Sequence, residues 1–579
     1  MKTLFICMGL LLTVPVSVVA EQPKGEASQN RSRGILPRQS VSGLQLTAGL
    51  VTRSQDLIAH WPLAGDAKDH SGNNRNALLV GKLDWNISGP EGTPQTAARF
   101  DGQGTYLEVP SDKLPPLGTG EFTLTSWVRC EENAGDILSQ YDPGMHRGFH
   151  LGLKTQAVTT SQANDRHLHF GIDDNRITPW EDCGRPGNAL LAFALAVHAG
   201  ELYAGTCEPG PEDKGRVYRY AGDKTWIDCG APDLSNSVTA LAVFDHQLYA
   251  GTGKYRVAGS ALPESQNPHL GGRIFRYAGQ AGWIDCGGLP ETEAIGGLIV
   301  FRGKLYASSL YRPAGFYRYE GEQRWVDCGV PDGRRVVALG VFNDALYATS
   351  YDGGHVYLYD GQNWTDLGRL GENTQTYSFA AYQGNWHVGT WPSGRVYRLG
   401  PKNEWIDIGR LGEELEVMGM LVHNGRFLAG TLPLAQVYSY EGASGWQLSA
   451  RLDQTPDVKY RRAWTMAEHD GRIFCSTLPS GQIHACEVGH NAFHGHTFPS
   501  GWQHVAAVRR KQELSLYLNG VLVSRRSASG DREYDLTTTS PLRIGFGQND
   551  SFHGALADVR LYGRALPVGE IRMLASKPE

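Results

Sequence analysis

The pentapeptide WIDCG runs from Trp226 to Gly230 and recurs from Trp283 to Gly287, with WEDCG from Trp180 and WVDCG from Trp325. A cysteine written repeatedly in one frame suits metal ligation, disulfide bonding or plain structural repetition. The phrase continues without its cysteine, as WTDLG from Trp364 and WIDIG from Trp405, and in degraded form at Trp446. Two further phrases accompany it in fixed order. One reads LYAGT at Leu202 and Leu248, LYASS at Leu305, LYATS at Leu346, WHVGT at Trp386, FLAGT at Phe427 and IFCST at Ile473. The other begins at Arg216, Arg273, Gly315, His355, Arg395, Gln436 and Gln482, with RVYRY from Arg216 as its clearest form.

Before each second phrase stands another apolar run, such as ALAVF from Ala240, ended by a tight polar turn such as NGR from Asn424. Each unit thus holds four short runs rich in β-branched and aromatic residues within about 40 residues, the pattern of a propeller blade. The seven copies of each phrase predict a seven-bladed β-propeller over 179–489. The region opens on a lone outer-strand phrase at Trp180 and ends after a third strand near Glu487, so the Trp180 strand is expected to complete the last blade. The repeat sets Cys183 opposite Ile483 in that closure.

The cysteine frame can now be read. Leu367 and Ile408 fill the slot of Cys183, Cys229, Cys286 and Cys328, so the slot asks for a small buried hydrophobe. Equivalent slots in different blades also lie too far apart for a bridge, which needs Cα atoms within about 7 Å. Cys183 and Cys486, on neighbouring strands at the closure, are the one pair that the topology would let meet.

The chain has 579 residues, Gly 72, 10% aromatics and a net charge of -6. Such glycine and aromatic content favours an all-β chain over a helical bundle, and no stretch concentrates Lys and Arg as a nucleic-acid surface would. Residues 1–20 have a lysine, an apolar run and small residues at Val18 and Ala20, the form of a signal peptide. The expected location is secreted, periplasmic or cell-surface. No later run approaches the ~20 apolar residues of a membrane span. Residues 21–50, rich in Ser, Gly, Arg and Gln, read as a flexible linker.

The flanks carry HWPLAGDAKDHSGNNRNALLVG from His60, ARFDGQGTYLEVP from Ala98, FTLTSWVR from Phe122, GWQHVAAVRRKQELSLYLNGVLV from Gly501, LRIGFG from Leu542 and FHGALADVRLYGRAL from Phe552. In this order they resemble the laminin G-like, concanavalin A-like sandwich domains. The resemblance implies one discontinuous sandwich, 51–178 and 490–579, with the propeller inserted into a surface loop. It also implies a Ca2+ site of Asp69, Asn73 and Asp558, although Ala557 stands where the family often has a carboxylate. A hydrogen-bonded turn is the alternative for Asp69. The histidines of the exit segment, His490, His494 and His496, read as solvated loop residues rather than zinc ligands.

Within the propeller the loops joining second to third strands vary in length, whereas those on the opposite face are short and uniform. Variable loops on a uniform scaffold are where binding usually sits. That face carries Tyr255, Arg256, Tyr311, Arg312, Tyr351, Asp352, Trp391, Arg461 and Arg462. Rings beside arginines suit stacking on sugars with hydrogen bonds to hydroxyl or acidic groups; covering the central channel is the structural alternative. Three functions are therefore in play: a non-catalytic binder of polysaccharide or glycoconjugate, an extracellular carbohydrate-active enzyme, and a protein-interaction scaffold. The enzyme would need two carboxylates at roughly 5 to 9.5 Å, with Glu208, Glu212, Asp213, Asp352 and Glu414 as the acidic candidates. No nucleophile, phosphate-loop or zinc-protease motif is present.

Overall fold

The computed structural model describes residues 56–131, 135–157, 162–528, 530 and 533–576, with backbone only at 155–157 and 162–165. The signal peptide and linker expected over 1–50 lie outside the described residues. The chain is all-β apart from short 3-10 turns and one α-helix, Val568–Ala575, among the described residues.

Two sheets draw strands from both flanks. The first runs Asp84–Ile87, Ala97–Asp101, His553–Tyr562, Phe122–Cys130, Gln503–Arg510, Glu513–Leu518 and Val521–Ser527, with Leu57–Trp61 also pairing His553–Tyr562. The second runs Leu78–Val80, Tyr106–Val109, Leu542–Ile544, Gly135–Asp142, Arg147–Ala157, Gln162–Ile177 and Val488–Thr497. Alternation sorts the faces, as a strand's period of two requires. Phe122, Leu124 and Val128 enter the shared core with Trp61, Phe100, Phe149, Phe170, Val505 and Leu516. Ala506 and Val508, on the other face, pack under Leu566 and Ile571 of the helical segment.

The repeat region forms a propeller-like ring. Its inner strands, Leu191–His198, Ser237–Phe244, Ile295–Phe301, Leu339–Phe342, Gln375–Tyr382, Glu416–His423 and Arg462–His469, each pack against the next, and the last packs against the first. The sheet count departs from the expected seven separate blades. Five sheets are four-stranded, while the strands from Leu191 to Gly288 form one eight-stranded sheet. The merger has a local cause: Cys207 pairs with Ser237, and the Glu208 amide donates to the Asn236 carbonyl at 2.9 Å, so one four-strand unit runs into the next.

The tryptophan phrase holds neighbouring units together. The indole N–H of Trp226, Trp283, Trp325 and Trp405 donates to the carbonyl of Cys183, Cys229, Cys286 and Leu367 respectively, at 2.9 to 3.0 Å. Trp364 donates instead to Gly329, one residue past its slot. The slot therefore needs a backbone carbonyl and a compact side chain, which explains the exchange of Cys for Leu and Ile. The phrase's aspartate is structural too: Asp228 accepts from the Gly230 amide and pairs with Arg216, and Asp407 does the same with Gly409 and Arg395.

The closure follows the repeat. Glu181 pairs with Ala485 and Asp182 with His484, and the Cys183 amide donates to the Ile483 carbonyl at 2.8 Å. Cys183 and Cys486 are not bridged to each other, and burial raises both thiols, Cys486 to about 12. Entry and exit run side by side. Val488 pairs with Ile177, the Thr178 amide donates to the Glu487 carbonyl, and the Glu487 amide returns to the Thr178 hydroxyl.

Candidate functional site

The two faces of the ring have different fates. Several of the short, uniform turns dock against the second flank sheet, while those at 245–246 and 302–303 are exposed. The Asn424 amide group donates to the carbonyls of Ile172 and Val488, and Gly200 donates to Gly495. Buried Lys154 donates to Glu468 at 2.6 Å and to the Val422 carbonyl, and His423 shares the same Glu468 oxygen. Lys154 and His423 hold the Glu468 carboxyl far below its usual range despite burial. Arg426 reaches Asp173, whose carboxyl burial nevertheless raises to about 6. His494 and His496 stack on each other beside this junction, and His490 contacts Glu487 rather than solvent.

The opposite face, with the variable loops, carries most of the predicted binding residues. Tyr255, Tyr311, Tyr351, Tyr377 and Trp464 form one cluster across the end of the channel. Tyr255 is buried, its hydroxyl on Ser260 and its amide on Asn236, so it supports the cluster from beneath. The Tyr311 hydroxyl accepts from the Arg256 amide, and the Arg256 guanidinium pairs with Glu293. Tyr351 packs on Tyr377 with centroids 4.9 Å apart. Asp352 receives Arg335 at 2.7 Å and Arg312 at 3.2 Å, and these contacts hold its carboxyl low against the effect of burial.

Arg462 is the floor of this site. It pairs with Glu416 at 3.4 Å, and its guanidinium lies over Tyr460 and Trp464. Both pair members are almost completely buried, at 6% and 2% exposure, and one Arg462 nitrogen, Nη1, has no hydrogen-bond partner. Burial pushes the Glu416 carboxyl up in spite of Arg462, while Glu416, Tyr255 and Tyr377 more than offset the effect of burial on Arg462. Trp391 and Arg461 stand outside the cluster. Trp391 ends its strand half-buried opposite Gln375, and Arg461 donates to the Thr455 carbonyl from its own loop.

The reading from sequence missed Glu416, Tyr377 and Arg335. Glu416 and Arg462 begin adjacent inner strands at the position held elsewhere by Leu191, Ser237 and Ile295. A charge at the head of an otherwise apolar inner strand was the available signal.

The acidic candidates do not converge on one centre. Glu208 is buried and bonded to the Thr206 hydroxyl, and burial raises its carboxyl to about 7. Asp213 accepts from the Gly210 amide and the Asn188 side chain, and Glu212 is exposed. Glu414, in a different unit, accepts from the Leu434 amide and is raised by burial. Each therefore braces its own or a neighbouring loop.

Among the cation candidates, Asp69 organises a turn. Its Oδ1 accepts the amides of His60 and Ser71, and its Oδ2 accepts the Ser71 hydroxyl and the Arg75 amide. Asn73 donates through its side chain to the Leu57 and Ile58 carbonyls. Asp558 pairs with His60 at 2.7 Å and Arg560 at 2.8 Å, which hold it low although burial opposes them. As they stand, the carboxylates are occupied by donors, the opposite of the bare oxygens a hard cation takes. Among the described residues no group of three His, Cys, Asp or Glu converges on a metal position.

Comparison with known proteins matches one family to part of the chain. The family described as the concanavalin A-like lectin/glucanases superfamily matches residues 480–572, the C-terminal flank with the ring's last strand. No curated protein matches the chain. Two solved structures of virginiamycin B lyase from Staphylococcus aureus are similar at 8% and 9% identity, with TM-scores of 0.42 and 0.41, the second being a catalytically inactive form with quinupristin. Each covers 54% of this chain and 99% of its own. The WD40 β-propeller domain of Doa1 is similar at 12% identity and a TM-score of 0.40, over 54% of this chain and 97% of that one. At these values the likenesses assign no activity. The chain is an all-β protein with a propeller-like ring and a concanavalin A-like domain, and no helix among its described residues is long and apolar enough to cross a membrane.

Proposed function

We propose that this chain is an exported, non-catalytic binding protein that recognises polysaccharide or glycoconjugate on the variable-loop face of its ring. The observation that carries this reading is the unequal use of the two faces. The uniform face is partly covered by docking against the flank sheet, through Asn424, Lys154 and Arg426, while its turns at Asp245 and Arg302 stay exposed. The other face keeps half-buried Tyr311, Tyr351 and Tyr460 beside arginines. Rings with adjacent fixed donors match a sugar's apolar face and hydroxyl edge. In this reading the eight-stranded sheet acts as two blades of a seven-membered ring over 179–489, inserted in a sandwich of 51–178 and 490–579. Export rests on the leader at 1–20.

The non-catalytic part of the reading is favoured because Glu208 and Asp213, which share one loop, and Glu414, in another, are each engaged by hydroxyl, amide or side-chain donors of the protein. Binding of the full mature chain to a polysaccharide array, in Ca2+ and again in chelator, tests the proposal. Selective binding that survives the chelator supports the ring face. Binding abolished by the chelator moves recognition to Asp69, Asn73 and Asp558 in the sandwich. Product release from a bound polymer would establish the enzyme instead, and binding to no glycan would leave an extracellular protein as the partner.

A further inference from the structure

Around the axis on the open face, cations outnumber carboxylates. Arg256 is matched by Glu293 and Arg462 by Glu416, whereas Asp352 alone serves both Arg312 and Arg335. Arg461 donates to the Thr455 carbonyl and Lys459 lies 4.8 Å over the Tyr460 ring, and no carboxylate pairs with either among the described residues. Six cations thus face three carboxylates: Arg256, Arg312, Arg335, Lys459, Arg461 and Arg462 against Glu293, Asp352 and Glu416. The excess runs against the chain's overall charge of -6.

The other carboxylates of this face do not cancel it. Glu208, Asp213, Asp233, Glu264, Glu414 and Asp453 are engaged by hydroxyls, amides or side-chain donors of their own or neighbouring loops. Glu212, Glu413 and Asp457 are exposed on outer loops, where solvent and salt screen them. The least committed cations also sit beside rings. The Arg312 side chain, 64% exposed, follows Tyr311, and Arg461 and Lys459 flank Tyr460. A guanidinium's planar fork fits a carboxylate or sulfate with two parallel hydrogen bonds, and a neutral hydroxyl does not use it fully.

Building on the glycan reading above, we propose that the open face selects an acidic polysaccharide. Arg312, Lys459 and Arg461 take its anionic groups, while its rings lie against Tyr311, Tyr351 and Tyr460. The shared chemistry is an anionic sugar, and carboxylate and sulfate polymers are its two sources.

The test measures affinity of the full mature chain for polygalacturonate, for the same polymer after reduction of its carboxyl groups, and for a sulfated galactan. Each is run at about 50 and about 300 mM salt. At least one acidic polymer is expected to bind about tenfold or more tightly than the reduced polymer, with the advantage shrinking in high salt. Whichever acidic polymer binds identifies the source. Arg461→Gln and Arg312→Gln should each lower that affinity several-fold at unchanged melting temperature, and Arg461→Lys should restore part of it. Equal affinity for the acidic and reduced polymers would overturn the charge inference while leaving the glycan reading standing. Binding to none of the three, with none on the wider array, would overturn the glycan reading itself.

Discussion

The two faces of the ring use similar side chains for opposite ends. On the docked face, Lys154, Arg426 and His423 meet Glu468, Asp173 and main-chain carbonyls in full burial. On the open face Arg312 and Arg335 share one carboxylate, and Arg461 and Lys459 have none among the described residues. The contrast also explains the loop lengths. Turns that must fit a sheet cannot vary, because Asn424 and Gly425 lie against Gly171 and His150 with no room for more atoms. Loops facing solvent carry no such restriction.

The contrast fails most visibly if the docked side is broken. Lys154→Met leaves Glu468 buried with one partner fewer and should cost about 3 to 5 kcal/mol, read by urea unfolding. A loss under about 1 kcal/mol would mean that the faces are not as different as their burial implies.

Protonation sharpens the same point. Burial lowers His169, under the docked face, to about 3. Its folded value lies below its unfolded one, so its contribution is complete above about pH 6.5 and is lost as pH falls toward about 3. Between about pH 6 and 4 the stability of the native chain should therefore fall more steeply than that of His169→Gln, by about 1.4 kcal/mol per pH unit. Parallel curves would show that His169 is not held neutral.

Open-face changes should be mild for the fold. Arg312→Ala is expected to move stability by no more than about 0.5 kcal/mol while weakening glycan binding several-fold. Smallest of all, Cys328→Leu, which copies the slot at Leu367, should cost under about 1.5 kcal/mol and leave binding unchanged. A larger loss would give the cysteine a role that its free thiol does not suggest.

The fold was largely legible because its determinants are periodic. The tryptophan phrase marks every outer strand, and the lone copy at Trp180 foretold the closing pair of Glu181 with Ala485. The merger at Cys207 and Ser237 was not legible, because one backbone pair between loop ends has no residue signature. The site was half legible. Rings and arginines in variable loops were visible, but Glu416 sits inside an inner strand, and the acidic residue picked out nearby, Glu414, serves a loop instead. Asp69 shows the limit of motif reading: DHSGN draws the same carboxylate inward whether it meets a cation or, as here, four amide and hydroxyl donors.

The most direct test of the central claim is hydrogen exchange of the full mature chain with and without a saturating acidic polysaccharide. Slower exchange in the loops at 253–272, 310–315, 350–354 and 451–461, with the turns at 69–76 and 557–560 unchanged, is the predicted result. Protection confined to those two sandwich turns, or no protection anywhere at saturation, would contradict recognition by the open face.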